Sequence, residues 1–289
     1  MNEITEKNLA NAVGVLVTIR SIAVDGYEIN YAVAGSGPAL LLLHGGNFGW
    51  GMWYPNIAEF AKRFTVYAMD LPGAGRSSPV DYRHLNPEKD FTQTALHFIR
   101  ALGLSSVSVI GHSIGAWAAL RLASGGGSEV RKLVLADPVG FSTHAGFPEK
   151  VLGMYPFALF LGNTVLRPRR GNKNLERFLR SAFYNAALPL TPEFVDYFYE
   201  TMKRSHGIRL ISRLIALRRD FFLPDALAYV RERALIIWGE NDATLPFKNT
   251  VLFRNPVPGI RVEVFPMTGH VPSLEQKERF NTIAMQFLS

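Results

Sequence analysis

A chain of 289 residues, 48% hydrophobic and 19% charged, has a globular composition with room for a sizeable core, which excludes a disordered chain. Cysteine is absent, which excludes a disulfide framework and thiolate metal sites. No run reaches the roughly 18 uninterrupted apolar residues of a membrane span, and the nearest, Val151 to Leu166, is broken by Gly153, Pro156, Gly162 and Asn163.

The opening Met1-Asn-Glu-Ile-Thr-Glu-Lys carries acids where a secretory signal has a basic stretch, so a cytoplasmic location is expected. Val13 to Ala23 and Tyr27 to Ala34 read as strands joined at Asp25-Gly26, a hairpin signal between two partly alternating runs. After the Gly35-Ser-Gly-Pro38 loop, Ala39 to Leu43 is continuously apolar, as in a strand covered on both faces. A helix is expected near Met52 to Lys62, a strand at Phe64 to Met69, and a helix over Pro87 to Leu102. The strand Val107 to Ile110, the helix Ile114 to Ala123 and the strand Lys132 to Ala136 continue the rhythm. Such alternation predicts crossover units and a mostly parallel central sheet flanked by helices, the α/β class.

After Asp137-Pro138 the rhythm changes. Residues 139–223 contain no convincing buried strand, but are rich in Arg, Phe, Tyr and Leu at helical spacings, with breaks at Pro148, Pro156, Pro168, Pro189 and Pro192. They are expected to form a helical insertion in a core made of residues 1–138 and 224–289. The core pattern resumes with strand Ala234 to Trp238, a helix beginning near Pro246, strand Ile260 to Phe265 and a helix over Ser273 to Leu288. The net charge of +7 concentrates in the insertion: between Gly140 and Asp225 there are thirteen Lys or Arg against six Asp or Glu. A solvated basic face is the ordinary meaning of this excess, and a preference for anionic substrates or acidic surfaces is the alternative. No nucleic-acid-binding motif accompanies the charge, so nucleic acid is not an expected partner.

Ser113 stands between Gly111 and Gly115, straight after an expected strand and before an expected helix. A nucleophile on such a turn needs small neighbours, because strand and helix approach closely. The turn also aims the Ile114 amide and the positive end of the helix at the reaction centre, where they stabilise an oxyanion. Glycines in His44-Gly45-Gly46-Asn47-Phe48-Gly49 allow a second amide, from Gly46 or Asn47, to approach the same atom. A phosphate-binding loop is excluded there, since no Lys-Ser or Lys-Thr follows.

A serine hydroxyl needs a base, and the base needs an orienting carboxylate. Of seven histidines, His270 follows the last strand at a carboxyl edge of the sheet, where open α/β sheets place their sites, and is the expected base. His44 suits a structural hydrogen bond, and His112 is expected to point away from the site. His84, His97, His144 and His206 lack an identifiable companion acid. Asp242, at the carboxyl edge after Ala234 to Trp238, is the expected acid, with Asp137 and Glu240 as competitors. The order Ser, Asp, His is that of nucleophile-elbow hydrolases. No cofactor or metal is called for.

These motifs together resemble the α/β-hydrolase superfamily in its capped branch, over nearly the whole chain. The resemblance rests on Leu41-Leu-Leu-His-Gly-Gly46, Asp70-Leu-Pro-Gly-Ala-Gly-Arg-Ser-Ser78, Gly111-His-Ser-Ile-Gly-Ala116, Trp238-Gly-Glu-Asn-Asp242 and Gly269-His-Val-Pro-Ser-Leu-Glu275. It implies a triad of Ser113, Asp242 and His270, with the insertion as a lid whose apolar and aromatic residues line a pocket. Haloalkane dehalogenases and epoxide hydrolases use an aspartate nucleophile, and this chain has Ser113. The loop at His44 is similar to that of hydrolases cleaving carbon–carbon bonds in ring-fission products, but those have Trp after the histidine and here Val271 stands there. Prolyl aminopeptidase-like activity needs acidic lid residues, and this insertion is basic. The expected activity is cofactor-independent hydrolysis of a small carboxylic ester or related acyl compound. Carbon–carbon hydrolysis, a ligand sensor on the same fold, and a lyase using the same serine and histidine are the alternatives.

Overall fold

The computed structural model describes residues 2–142, 160, 164–165, 172–204, 207–217, 219–255 and 257–289. His144, His206, Pro148, Pro156 and Pro168, which entered the sequence reading, lie outside them. Eight strands form one sheet: β1 (Val17–Val24), β2 (Tyr27–Ala34), β3 (Ala39–Leu43), β4 (Thr65–Met69), β5 (Val107–His112), β6 (Val130–Ala136), β7 (Ala234–Gly239) and β8 (Arg261–Phe265). Their order is β1-β2-β4-β3-β5-β6-β7-β8; β2 pairs antiparallel with both β1 and β4, and every other pair is parallel.

The β1–β2 hairpin turns at Asp25 (φ 53°) and Gly26 (φ 81°), the two left-handed residues that a type I′ turn requires. The leucine run of β3 divides by the strand period. Leu40 and Leu42 enter a core with Ile57 and Phe60 of helix α2 (Tyr54–Phe60), while Leu41 and Leu43 enter the opposite core. That second core holds Phe98 of α3 (Thr94–Ala101) and Trp117 of α4 (Ile114–Ser124). Both faces are covered, which is why the run does not alternate with polar residues.

Several expected boundaries move. No element was expected before Val13, yet α1 spans Glu3–Ala12, capped by the Asn2 side chain accepting from the Ile4 amide. The expected helix over Pro87 to Leu102 begins as a wider π-type turn, Glu88–Gln93. Beyond Pro246 only single turns form, Phe247–Asn249 and Val251–Arg254. The last expected helix divides at Gln276, after a turn at Pro272–Glu275. There the Glu275 carboxylate and the Gln276 side chain reach back to the preceding loop, to Gly269 and Thr268, and pull the backbone out of helical geometry.

Among the described residues of 139–223 there are helices and no strand: α5 (Lys173–Arg180), α6 (Pro192–Arg204) and α7 (Gly207–Ala216). In α6, Phe194, Tyr197, Phe198, Thr201 and Met202 are buried, an i, i+3, i+4, i+7, i+8 stripe. The stripe packs on α1 and on the turn after β3. The final helix, α8 (Lys277–Leu288), buries Phe280 and Ala284 and packs on α2, β6 and β7. Among the described residues no helix is long and apolar enough to cross a membrane.

Candidate active site

β5 ends at His112, and Ser113 takes φ 53° and ψ −115° before α4 begins at Ile114. A non-glycine residue held this way stores strain of about 1–3 kcal/mol, which the surrounding fold must sustain. The neighbouring glycines show why it is tolerated. A Cβ on Gly111 would lie 2.5 Å from the Ala116 Cα, and one on Gly115 would lie 2.5 Å from the His44 carbonyl oxygen. Strand, turn and helix therefore meet at backbone contact.

His270, in the loop after β8, brings Nε2 to 3.2 Å from Ser113 Oγ and Nδ1 to 2.7 Å from Asp242 Oδ2. With its proton on Nδ1, a neutral ring donates to Asp242 and accepts from the serine hydroxyl. Asp242 is buried, and its Oδ1 accepts from the amides of Thr244 (2.7 Å) and Leu245 (2.8 Å). Burial pushes its carboxyl pKa up, but the His270 ring and these amides outweigh that and bring it below the ordinary value. Asp137, the main competitor, directly follows β6 with φ 43°, is fully buried, and accepts from the Gly239 amide at 2.9 Å. Glu240 is exposed. The partner on His270 Nδ1 is thus Asp242.

The backbone of His270 is held as firmly as its ring. Its amide donates to the Ala182 carbonyl at 2.7 Å, and its carbonyl accepts from His112 Nε2 at 2.6 Å. Glu275 accepts from the amides of Gly269 (3.0 Å), Val271 (3.2 Å) and Tyr184 (2.7 Å), joining the loop to the segment after α5. His112 therefore does not point away. Its ring packs 4.9 Å from that of His270, in space left by the missing side chain of Gly45. Burial, foremost, pushes the His112 pKa down to about 3, so the ring is neutral and acts as a donor. The sequence carried a signal for Glu275, its place in the Gly269–Glu275 motif, and none for Ala182 or Tyr184.

His44 accepts from the Leu71 amide (2.9 Å) and donates from Nδ1 to the Gly45 carbonyl (2.6 Å), and burial lowers its pKa to about 4. It shapes its loop. A Cβ on Gly45 would stand 3.3 Å from Ser113 Cβ, so the loop lies against the serine, and Gly46 follows with Leu214 of α7 as the neighbour of its open face. Asn47 takes φ 68° and is buried. Phe48 lies against Phe194 and Phe198 of α6, with ring centroids at 6.5 and 5.7 Å. Ile114 opens α4, where an amide has no carbonyl four residues back to receive it. Of the other described histidines, His84 pairs with Asp81 and His97 with Asp25, away from this cluster.

A buried polar network that the sequence reading missed supports the same loop. Asp70 accepts from the Trp50 amide (2.6 Å), Asn30 Nδ2 (2.8 Å), the Arg76 amide (2.9 Å) and the Tyr197 hydroxyl (3.3 Å). Glu6 of α1 joins it through Asn30 (2.7 Å), Trp50 Nε1 (2.9 Å) and the Arg76 guanidinium (3.0 Å).

Asp137, Asp242 and His270 group their potential ligand atoms within 4.8 Å of one another. The Asp242 oxygens are already taken by the ring and two amides, so a hydrogen-bond relay fits this trio better than a cation cage. Such a relay, ending on a strained serine at a helix N-terminus, suits nucleophilic attack on a carbonyl.

Comparison with known proteins agrees with this architecture. The alpha/beta hydrolase family model matches residues 40–283. The chain is 29% identical to the 2-hydroxy-6-oxononadienedioate/2-hydroxy-6-oxononatrienedioate hydrolase 2 of Pseudomonas putida, over 90% of this chain and 91% of that protein. A bacterial membrane phospholipase A superposes with a TM-score of 0.77 at 23% identity, covering 99% of this chain and 91% of that one. Naproxen esterase from Bacillus subtilis gives 0.75 at 21% identity, covering 99% and 96%. At these identities the solved structures share the fold alone. The mostly parallel eight-stranded sheet and a family match spanning most of its length agree that the chain belongs to the alpha/beta hydrolase family.

Proposed function

We propose that the protein is a cofactor-independent serine hydrolase of carboxylic esters or related acyl compounds. The observation that carries this reading is the hydrogen-bond chain from Ser113 Oγ through His270 to Asp242. His270 takes the serine proton as Ser113 attacks the carbonyl, and Asp242 orients the ring and stabilises the imidazolium. The Ile114 amide and that of Gly46, with Asn47 as the alternative donor, receive the oxyanion. His270 then protonates the leaving group, and water resolves the acyl-enzyme by the same route in reverse.

Residues 139–223 are read as a cap on a core of residues 1–138 and 224–289. Support comes from the contacts of α6 and α7 with the His44–Gly49 loop, where Leu214, Phe194 and Phe198 offer an apolar, aromatic wall to an acyl or aryl group. The basic excess of this region favours a substrate bearing a carboxylate.

Carbon–carbon hydrolysis is the second reading. It is favoured by the His44-Gly-Gly-Asn-Phe-Gly49 loop and by the Pseudomonas putida relative. Val271, where such hydrolases have Trp, weighs against it. A fluorophosphonate probe tests the serine assignment: labelling of the wild type and none of Ser113→Ala is expected, and equal labelling of both refutes it. Turnover of matched neutral esters, acidic esters and 2-hydroxy-6-oxo-dienoates then separates the substrate classes.

A further inference from the structure

We infer that Asp137 is a positioning acid held in its protonated form against Asp242, poised to orient His270 when Asp242 is lost. The inference rests on the proposed Ser113–His270–Asp242 relay. Asp137 is fully buried, and its Oδ1 has the Gly239 amide of β7 as donor. Its Oδ2 is also buried and has no donor among the described residues. A carboxylate oxygen left this way costs heavily, whereas a protonated one becomes a donor. Asp242 is the acceptor beside it, in the cluster that also contains His270.

The donors decide which carboxyl keeps the proton. Asp242 accepts from His270 and two backbone amides, so it is fitted to bear the negative charge. Asp137 accepts from one amide, and two buried like charges this close cannot both ionise cheaply. Burial, and then the Asp242 charge, hold the Asp137 carboxyl well above the ordinary carboxylate range. The titratable groups around it are Asp242 after β7, His270 and Glu275 after β8, and His112 on the adjacent β5. Glu275 pushes in the same direction as Asp242. The left-handed backbone at Asp137, tolerable for aspartate, and the Gly239 bond fix the carboxyl in place.

Steady-state hydrolysis of a p-nitrophenyl ester by the full chain tests this, with Ser113→Ala, Asp242→Ala, Asp137→Asn and the double Asp137→Asn/Asp242→Ala. Asp242→Ala is expected to retain at least about tenfold more turnover than Ser113→Ala, and the double variant to fall to the Ser113→Ala level. A folded Asp242→Ala no more active than the double variant overturns the inference. So does an acid limb of kcat/KM that moves to lower pH in Asp137→Asn, because that shift reports loss of a negative charge beside His270; the inference expects the limb to keep its midpoint. The pH profile needs no Asp242 variant and decides the matter even if Asp242→Ala fails to fold. Turnover surviving in Ser113→Ala would instead refute the serine reading, so the two failures are distinguishable.

Discussion

Replacing Glu275 by alanine would release the loop that carries His270. The carboxylate accepts from Gly269, Val271 and Tyr184, at 3.0, 3.2 and 2.7 Å. Gly269 and Val271 are buried and would be left without an acceptor, while Tyr184 is exposed and water can replace its partner. Taking about 1.5 kcal/mol for each buried amide and nothing for the exposed one gives a loss of about 3 kcal/mol. At roughly 2 °C per kcal/mol for a chain of this size, the melting temperature should fall by about 6 °C. The looser loop should lengthen the 3.2 Å approach of His270 to Ser113 and lower kcat by about 10–100-fold, with a much smaller change in KM. Glu275→Gln, keeping one oxygen for Gly269 and Val271, should recover a large part of both. Calorimetry with steady-state kinetics reads the two effects. A Glu275→Ala protein that melts within about 1 °C of wild type and keeps its kcat within about twofold would show that the loop holds itself.

Gly111→Ala should prevent the elbow from closing, because its Cβ meets backbone atoms of Gly115 and Ala116 at 2.5 Å, and neither can swing aside. A loss of 3 kcal/mol or more, or no soluble protein, is the expected result by about the scale of severe overpacking, and near-wild-type urea unfolding would contradict it. Glu6→Ala removes the acceptor of the buried Trp50 indole and one partner of Arg76, and should cost about 2 kcal/mol at neutral pH in denaturant unfolding. Burial, then Asp70, raise the Glu6 pKa, so its ionisation contribution is full below the unfolded carboxylate range and lost as pH rises through the folded value. The stability advantage of wild type over Glu6→Ala should accordingly narrow as the pH rises, and a widening would reverse the sign of the argument.

Local pattern carried the frame of the protein. The Asp25-Gly26 turn, the unbroken apolar run of β3 and the glycines flanking Ser113 each express a constraint between residues a few positions apart, and such constraints are written directly in sequence. The strand–helix alternation follows for the same reason, and with it the parallel sheet whose carboxyl edge holds Ser113, Asp242 and His270. What tertiary structure decided depends on partners far along the chain. Helix α1 announces itself weakly, because its apolar face is short, Leu9 and Ala10, and shares the buried side with Glu6, satisfied by Asn30, Trp50 and Arg76 up to 70 positions away. His112 faces His270 across 158 residues, and Tyr184 reaches Glu275 across 91. The choice between Asp137 and Asp242 was of this kind too: both end neighbouring strands at the same edge. The conformation of the loop after β7 puts Asp242 on the imidazole, while Asp137 takes the Gly239 amide, a difference of hydrogen-bond partner that no spacing in the sequence encodes.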